Sequence, residues 1–280
     1  MRALFLIPGD GVSQLQAFPA VAATAEQLGF AIQVACPAEQ MPLWKLVPAV
    51  EKLIPFSFEE ATLADWANLL GNVRDPDFQV SINLAPGRQM DLMLSMSHIP
   101  TRVATAGFSA TETVALPAAV WPAEALAALL RPIGVNLEAA AFRLPVAAAA
   151  LAEAAAAQPG GDGPMLLLAP AAGPRDWPAE RWQALPERIR ASLPALRCLT
   201  AQPATPATAA KRAADVAAAD VVLASDPLSI ELALLCGTPL VALGRAADAL
   251  PVRAGVSGVG AGATLESLGL EPVLQALGLG

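Results

Sequence analysis

Short apolar runs alternate with longer helix-like segments along nearly the whole chain, and that rhythm predicts βαβ units with parallel strands. In the first half the strand candidates are ALFLI (3–7), AIQVA (31–35), FQVSINL (78–84) and TRVATA (101–106), with helices expected over 13–28, 59–72 and 87–97. The second half repeats the theme. Strands are expected at 165–169, 196–200, 220–224 and 239–244, and helices at 178–192, 207–218 and 227–236. At 280 residues the chain exceeds one ordinary domain, so two are expected. An Ala-rich helix near 146–157 followed by QPGGDGP (158–164) divides them, because those glycines and prolines neither extend a helix nor join a central strand. The domains are therefore read as 1–145 and 165–280, with 146–164 as linker. The expected fold class is α/β, two Rossmann-like doubly wound domains facing a cleft, and such sheets bind ligands at the carboxyl ends of their strands.

Charge and composition exclude several classes. Hydrophobic residues make up 55% of the chain and charged residues 15%, which excludes disorder. A net charge of -8 argues against a nucleic-acid partner, which would need clustered Lys and Arg. The deficit is uneven. Residues 1–140 carry 7 basic and 13 acidic side chains, and residues 141–280 carry 10 and 12, so a small anionic ligand fits the second half better. Cys36, Cys198 and Cys236 lie in apolar stretches without metal-ligand spacing. They read as core residues of a reducing, cytoplasmic compartment. The apolar run before Pro8 and Gly9 is too short for a signal-peptide core.

Three motifs follow strands directly. Gly9-Asp10-Gly11 comes after the first; its carboxylate either takes a proton from an acceptor hydroxyl or merely caps the next helix. In APAAGPRDWPAERW (169–182), Arg175 beside a helix start suits phosphate oxygens, although it also reads as a solvated side chain; Arg181 falls inside the helix. In DPLSIELALLCGTP (226–239), Asp226 and Pro227 open a helix whose N-terminus can hold a diphosphate or ribose, with Ser229 and Glu231 one turn in. Asp75-Pro76-Asp77 has a metal-binding DxD spacing but reads as a turn. His98, the only histidine, has no nucleophile pattern beside it and reads as structural. Gly255, Gly258, Gly260 and Gly262 do not form a dinucleotide-binding fingerprint. No cofactor or metal is expected.

In this order the segments resemble glycosyltransferase family nine, which contains the ADP-heptose:lipopolysaccharide heptosyltransferases. IPGDGVSQLQAFPAV, with Pro19 inside its helix, looks like the family's Gly-Asp turn, and FQVSINL with SHIPTRVATAG, including Arg102, is similar to a second segment. APAAGPRDWPAERWQAL, AADVVLASDPLSIELALLCGTPLVALG and the tail TLESLGLEPVLQALG continue the likeness through the second half. The resemblance implies an inverting, metal-independent transferase that moves a heptose-like sugar from a nucleotide-sugar donor to a cell-envelope glycan or lipid-linked, lipopolysaccharide-type acceptor. It carries the base role to Asp10 and donor binding to Arg175 and Asp226; Gly9, Gly11, Ser229 and Glu231 are substrate- or donor-contact candidates from their own positions beside these, and peripheral membrane contact is a further expectation. Where the family has Asp-Thr-Gly-x-x-His, however, this chain has Asp226-Pro227-Leu228-Ser229-Ile230-Glu231. Leu228 adds bulk and Glu231 negative charge where an anionic donor would lie. The alternative is a catalytically inactive binding or scaffold protein.

Overall fold

The structure is a computed structural model describing residues 1–74, 77–262 and 264–279. Asp75 and Pro76 of the DxD sequence lie outside the described residues. The chain divides into two compact units, one comprising Met1–Ala118 with Pro122–Ala139 and the other Ala119–Trp121 with Ala140–Gly280.

The first unit is a parallel sheet of six strands, β1 (Arg2–Leu6), β2 (Ala31–Cys36), β3 (Val50–Pro55), β4 (Phe78–Asn83), β5 (Thr101–Ala104) and β6 (Glu112–Thr113), in the order β3-β2-β1-β4-β5-β6. Its helices are α1 (Gly11–Leu28), α2 (Leu63–Arg74), α3 (Arg88–Met96) and the short α4 (Pro122–Ala125) and α5 (Ala127–Leu130). β1 and β4 are buried through most of their length; β1 is the near-continuous apolar run of a central parallel strand, whereas β4 alternates apolar with polar residues and buries Ser81 and Asn83 as well. Sequence periodicity missed β3. Its Glu51 and Lys52 are exposed because it is an edge strand, and charged residues on an edge also discourage pairing with other chains.

The second unit contains β7 (Met165–Ala169), β8 (Arg197–Thr200), β9 (Val221–Ala224), β10 (Leu240–Leu243) and β11 (Val256–Val259), again all parallel, in the order β11-β10-β9-β7-β8. Its helices are α6 (Ala148–Ala156), α7 (Ala179–Arg190), α8 (Ala209–Ala217), α9 (Pro227–Cys236) and α10 (Leu270–Ala276). α9 is apolar nearly all round and buried from Leu228 to Leu235, as a helix in the centre of a layer should be. The stretch expected as a linker, 146–164, falls inside this unit. There α6 packs on α8, and Gln158 Nε2 donates to the Ala218 carbonyl at 2.8 Å. β11 was hidden by Gly258 and by the glycines on either side of it. Gly258 is obligatory, because a Cβ there would sit 2.3 Å from the Arg245 carbonyl oxygen.

Both sheets change direction of strand order once, between β1 and β4 in the first and between β7 and β9 in the second. The crevice outside the carboxyl ends of the strands at such a switch is where open α/β sheets take their ligands. Among the described residues no helix is long and apolar enough to cross a membrane.

Candidate functional site

In the first unit, the loop after β1 carries Gly9, Asp10 and Gly11 to the switch point. Asp10 caps α1: Oδ1 accepts from the Ser13 backbone at 3.0 Å and from the Ser13 hydroxyl at 3.1 Å. The capping reading of the sequence thus describes a contact actually made. It leaves the carboxylate exposed, with further acceptor positions open to solvent. Gly9 has φ +89°, where L side chains are strained, and a Cβ would fall 2.9 Å from Ser13 Oγ. Gly11, the first helical residue, is buried. The loop after β4 runs alongside, since Leu6 pairs with Asn83 and the Leu84 amide donates to the Leu6 carbonyl at 3.0 Å. Its basic residue, Arg88, opens α3 and is exposed.

In the second unit, Arg175 follows β7 in a loop shaped by Asp176. That carboxylate accepts from the Ala172 amide at 2.9 Å and the Trp177 amide at 2.7 Å, while Ala172 takes φ +53°. Arg175 itself is exposed, and no ion pair or side-chain hydrogen bond holds it among the described residues. Arg181, by contrast, donates to the carbonyls of Glu266 at 2.7 Å and Leu268 at 2.5 Å, and Trp177 Nε1 donates to Leu268 at 2.7 Å. These two residues fasten the segment leading into α10.

The loop after β9 lies next to the loop after β7. Ser225 and Asp226 amides both donate to the Ala169 carbonyl at 3.1 Å, and the Ala171 amide donates to Ser225 Oγ at 2.9 Å. Asp226 is 4% exposed and caps α9, its Oδ2 accepting from the Ser229 amide at 2.9 Å, from the Ser229 hydroxyl and from the Ala204 amide at 3.3 Å. Arg212 of α8 completes this network. It is 7% exposed, pairs with Asp226 Oδ2 at 3.9 Å, and donates to Ser229 Oγ and to the Gln202 carbonyl. Burial pulls the Arg212 guanidinium down from its ordinary pKa, against the pull of Asp226 and Asp215 in the other direction. Sequence reasoning missed Arg212. The only trace of it was a basic residue at 212 in an alanine-rich helix, indistinguishable there from its neighbour Lys211, which is exposed and pairs with Asp215 at 3.2 Å.

Ser229 and Glu231, expected to touch a donor, are both interior. Ser229 is fully buried between Asp226 and Arg212, and Glu231 is 2% exposed, its Oε2 accepting from Trp121 Nε1 at 3.1 Å. Leu228 is also buried, so its bulk packs inward. The structure therefore leaves Gly9, Asp10 and Arg175 open to solvent and puts Gly11, Asp226, Ser229 and Glu231 inside. His98 is exposed, with its Nε2 2.9 Å from Arg74 Nη2. Among the described residues no group of three His, Cys, Asp or Glu side chains has metal-site geometry. Burial pushes the thiols up, Cys36 and Cys236 to about 12 and Cys198 to about 11, so none is a thiolate near neutral pH.

Two parallel-sheet units, each with polar loops at its switch point, define the α/β architecture of the GT-B-like glycosyltransferases. More particularly, the chain has the fold of the family nine enzymes. It superposes on a family 9 glycosyl transferase from Veillonella parvula with a TM-score of 0.77, at 13% identity over 99% of this chain and 96% of that one. Against the ADP-heptose lipopolysaccharide heptosyltransferase II of E. coli the TM-score is 0.74, at 16% identity over 99% and 98%. E. coli heptosyltransferase WaaC with ADP gives 0.69, at 14% identity over 99% of each chain. No family model and no curated protein matches the chain by sequence.

Proposed function

We propose that the chain is a divergent family nine glycosyltransferase that transfers a sugar from a nucleoside diphosphate donor to a glycan or lipid-linked acceptor of the cell envelope. The observation that carries this reading is the placement of the candidate groups. Asp10 stands at the switch point of the first sheet, and Arg175 and the N-terminus of α9 flank the switch point of the second. A fold shared over 99% of the chain with enzymes that include one solved with ADP supports the donor class.

In this reading Asp10 accepts the proton of an acceptor hydroxyl, whose oxygen attacks the anomeric carbon opposite the leaving diphosphate, so configuration inverts without a metal. Gly9 and Gly11 let the backbone come close to substrate. Arg175 pairs with the departing diphosphate, and the Leu228 amide in the first turn of α9, whose Ser229 and Ile230 amides already donate to Asp226, shares its charge. Asp226 and Ser229 serve by holding that turn, and Glu231 by tying α9 to Trp121. The reaction belongs to the cytoplasmic side, with peripheral contact wherever the acceptor is membrane-bound.

One observation favours a second reading, a non-catalytic binding protein. Asp226 and Ser229 are already engaged with Arg212 and Ala204, so side chains at the head of α9 satisfy one another. Thermal shift with ADP-, GDP- and UDP-sugars separates the two. A donor at 100 times its dissociation constant adds about 2.7 kcal/mol to stability. Asp10→Asn should keep that shift and abolish transfer. A shift accompanied by unchanged transfer in Asp10→Asn removes Asp10 from the base role; no shift with any nucleotide sugar refutes the transferase.

A further inference from the structure

The loop that presents Asp10 hangs on one buried amide. Gln14, in the first turn of α1, is fully buried; its Nε2 donates to the Ile7 carbonyl at 3.0 Å and to the Pro8 carbonyl at 3.2 Å, and its Oε1 accepts from Trp44 Nε1 at 3.0 Å. A primary amide has two N–H donors and one carbonyl oxygen, and all are used. Ile7 and Pro8 are the two residues immediately before Gly9 and Asp10. The backbone N–H of the same Gln14 donates to the Asp10 carbonyl at 3.1 Å, so one residue holds the turn at both ends. Trp44 in turn is packed against Phe18 of α1, with ring centroids 4.8 Å apart. The amide plane is thereby locked with both donors aimed at the loop.

We infer that Gln14 is the positioning residue for Asp10, setting the height and direction of the Gly9-Asp10 turn above the end of β1. The inference rests on the reading of Asp10 as the base. A general base must come within about 3 Å of the hydroxyl it deprotonates. A displacement of about 1 Å remote from the chemistry can cost on the order of 100-fold in rate. Without Gln14 the carbonyls of Ile7 and Pro8 lose their side-chain donors, and Gly9, with its permissive backbone, can let the turn move.

The test compares Gln14→Met, which keeps length but removes both donors and the acceptor, with Trp44→Phe, which removes the indole N–H and part of the ring but leaves both Gln14 donors in place. Rates are taken well below each variant's melting temperature, as nucleoside diphosphate release from ADP-, GDP- and UDP-sugars with truncated lipopolysaccharide as acceptor. Backbone amide exchange over residues 9–13 is followed in parallel. Gln14→Met should lower kcat at least tenfold, leave donor KM within twofold and speed exchange in that turn. Trp44→Phe should stay within threefold of the parent in kcat and keep the protection. Gln14→Met transferring at the parent rate, or Trp44→Phe losing as much as Gln14→Met, overturns the inference. A parent chain that transfers from none of the donors removes the reading of Asp10 and this inference with it, whereas an active parent with full-rate Gln14→Met removes the inference alone.

Discussion

Removing the Asp226 carboxylate should destabilise the second unit more than removing its cationic partner, and removing both should be better tolerated than losing Asp226 alone. Asp226→Ala deletes an N-cap, worth about 1 kcal/mol, and strips the acceptor from the Ser229 and Ala204 amides. It also takes from the Arg212 guanidinium, 7% exposed, the carboxylate it pairs with and leaves only the weaker pull of Asp215. An uncompensated charge of this kind costs about 3–5 kcal/mol, and the two penalties overlap, so roughly 4 kcal/mol is expected in all. Arg212→Met takes away an ion-pair partner 3.9 Å from a carboxylate that keeps its hydrogen bonds from Ser229 and Ala204 and so its cap, and the methionine fills much of the arginine stem. It should cost about 2 kcal/mol or less. In the double variant the stranded charge is gone, so the loss should fall back to roughly 2 kcal/mol, making it more stable than Asp226→Ala by about the same amount. Urea unfolding followed by hydrogen-exchange mass spectrometry reads the second unit separately from the first. If the two single losses simply add in the double variant, or if Asp226→Ala costs less than about 1.5 kcal/mol, then Arg212 is not a buried charge dependent on Asp226 and the account of this helix start is wrong.

Two further outcomes are expected. The thiols ionise near pH 9 when unfolded but only near 11 to 12 when folded, so they bind protons more tightly in the folded chain. Their contribution to stability is whole below pH 9 and is lost as pH rises from 9 towards 12, and alkylation of the native protein at pH 7.5 should be slow; rapid labelling of Cys36 by iodoacetamide at that pH would contradict its burial. Gly258→Ala should melt the second unit at least several degrees lower in calorimetry, because its Cβ meets the backbone of Arg245 rather than a movable side chain; an unchanged second transition would mean β11 does not lie where described.

Much of this fold was legible as rhythm. Central parallel strands such as β1 and β7 are buried on both faces and therefore leave apolar runs, and capping at Asp10 and Asp226 obeys a local rule that needs no tertiary context. The edge strands β3 and β11 escaped the same reading: β3 carries exposed charges and β11 is Val-Ser-Gly-Val, and neither leaves an apolar run.

Contiguity along the chain already places Asp10, Arg175 and Asp226 just after strands, because strand, loop and helix start follow one another directly. Which side chains face solvent and which face one another is settled by packing between elements far apart in the chain. Arg212 reaches Asp226 from 14 residues earlier, Trp44 reaches Gln14 from 30 residues later, and Trp121 meets Glu231 across 110. No local pattern encodes those pairings, since burial of a polar group is set by everything packed around it. For the same reason Glu231, which reads along the chain as a charge at the head of a helix, is an interior acceptor for an indole N–H.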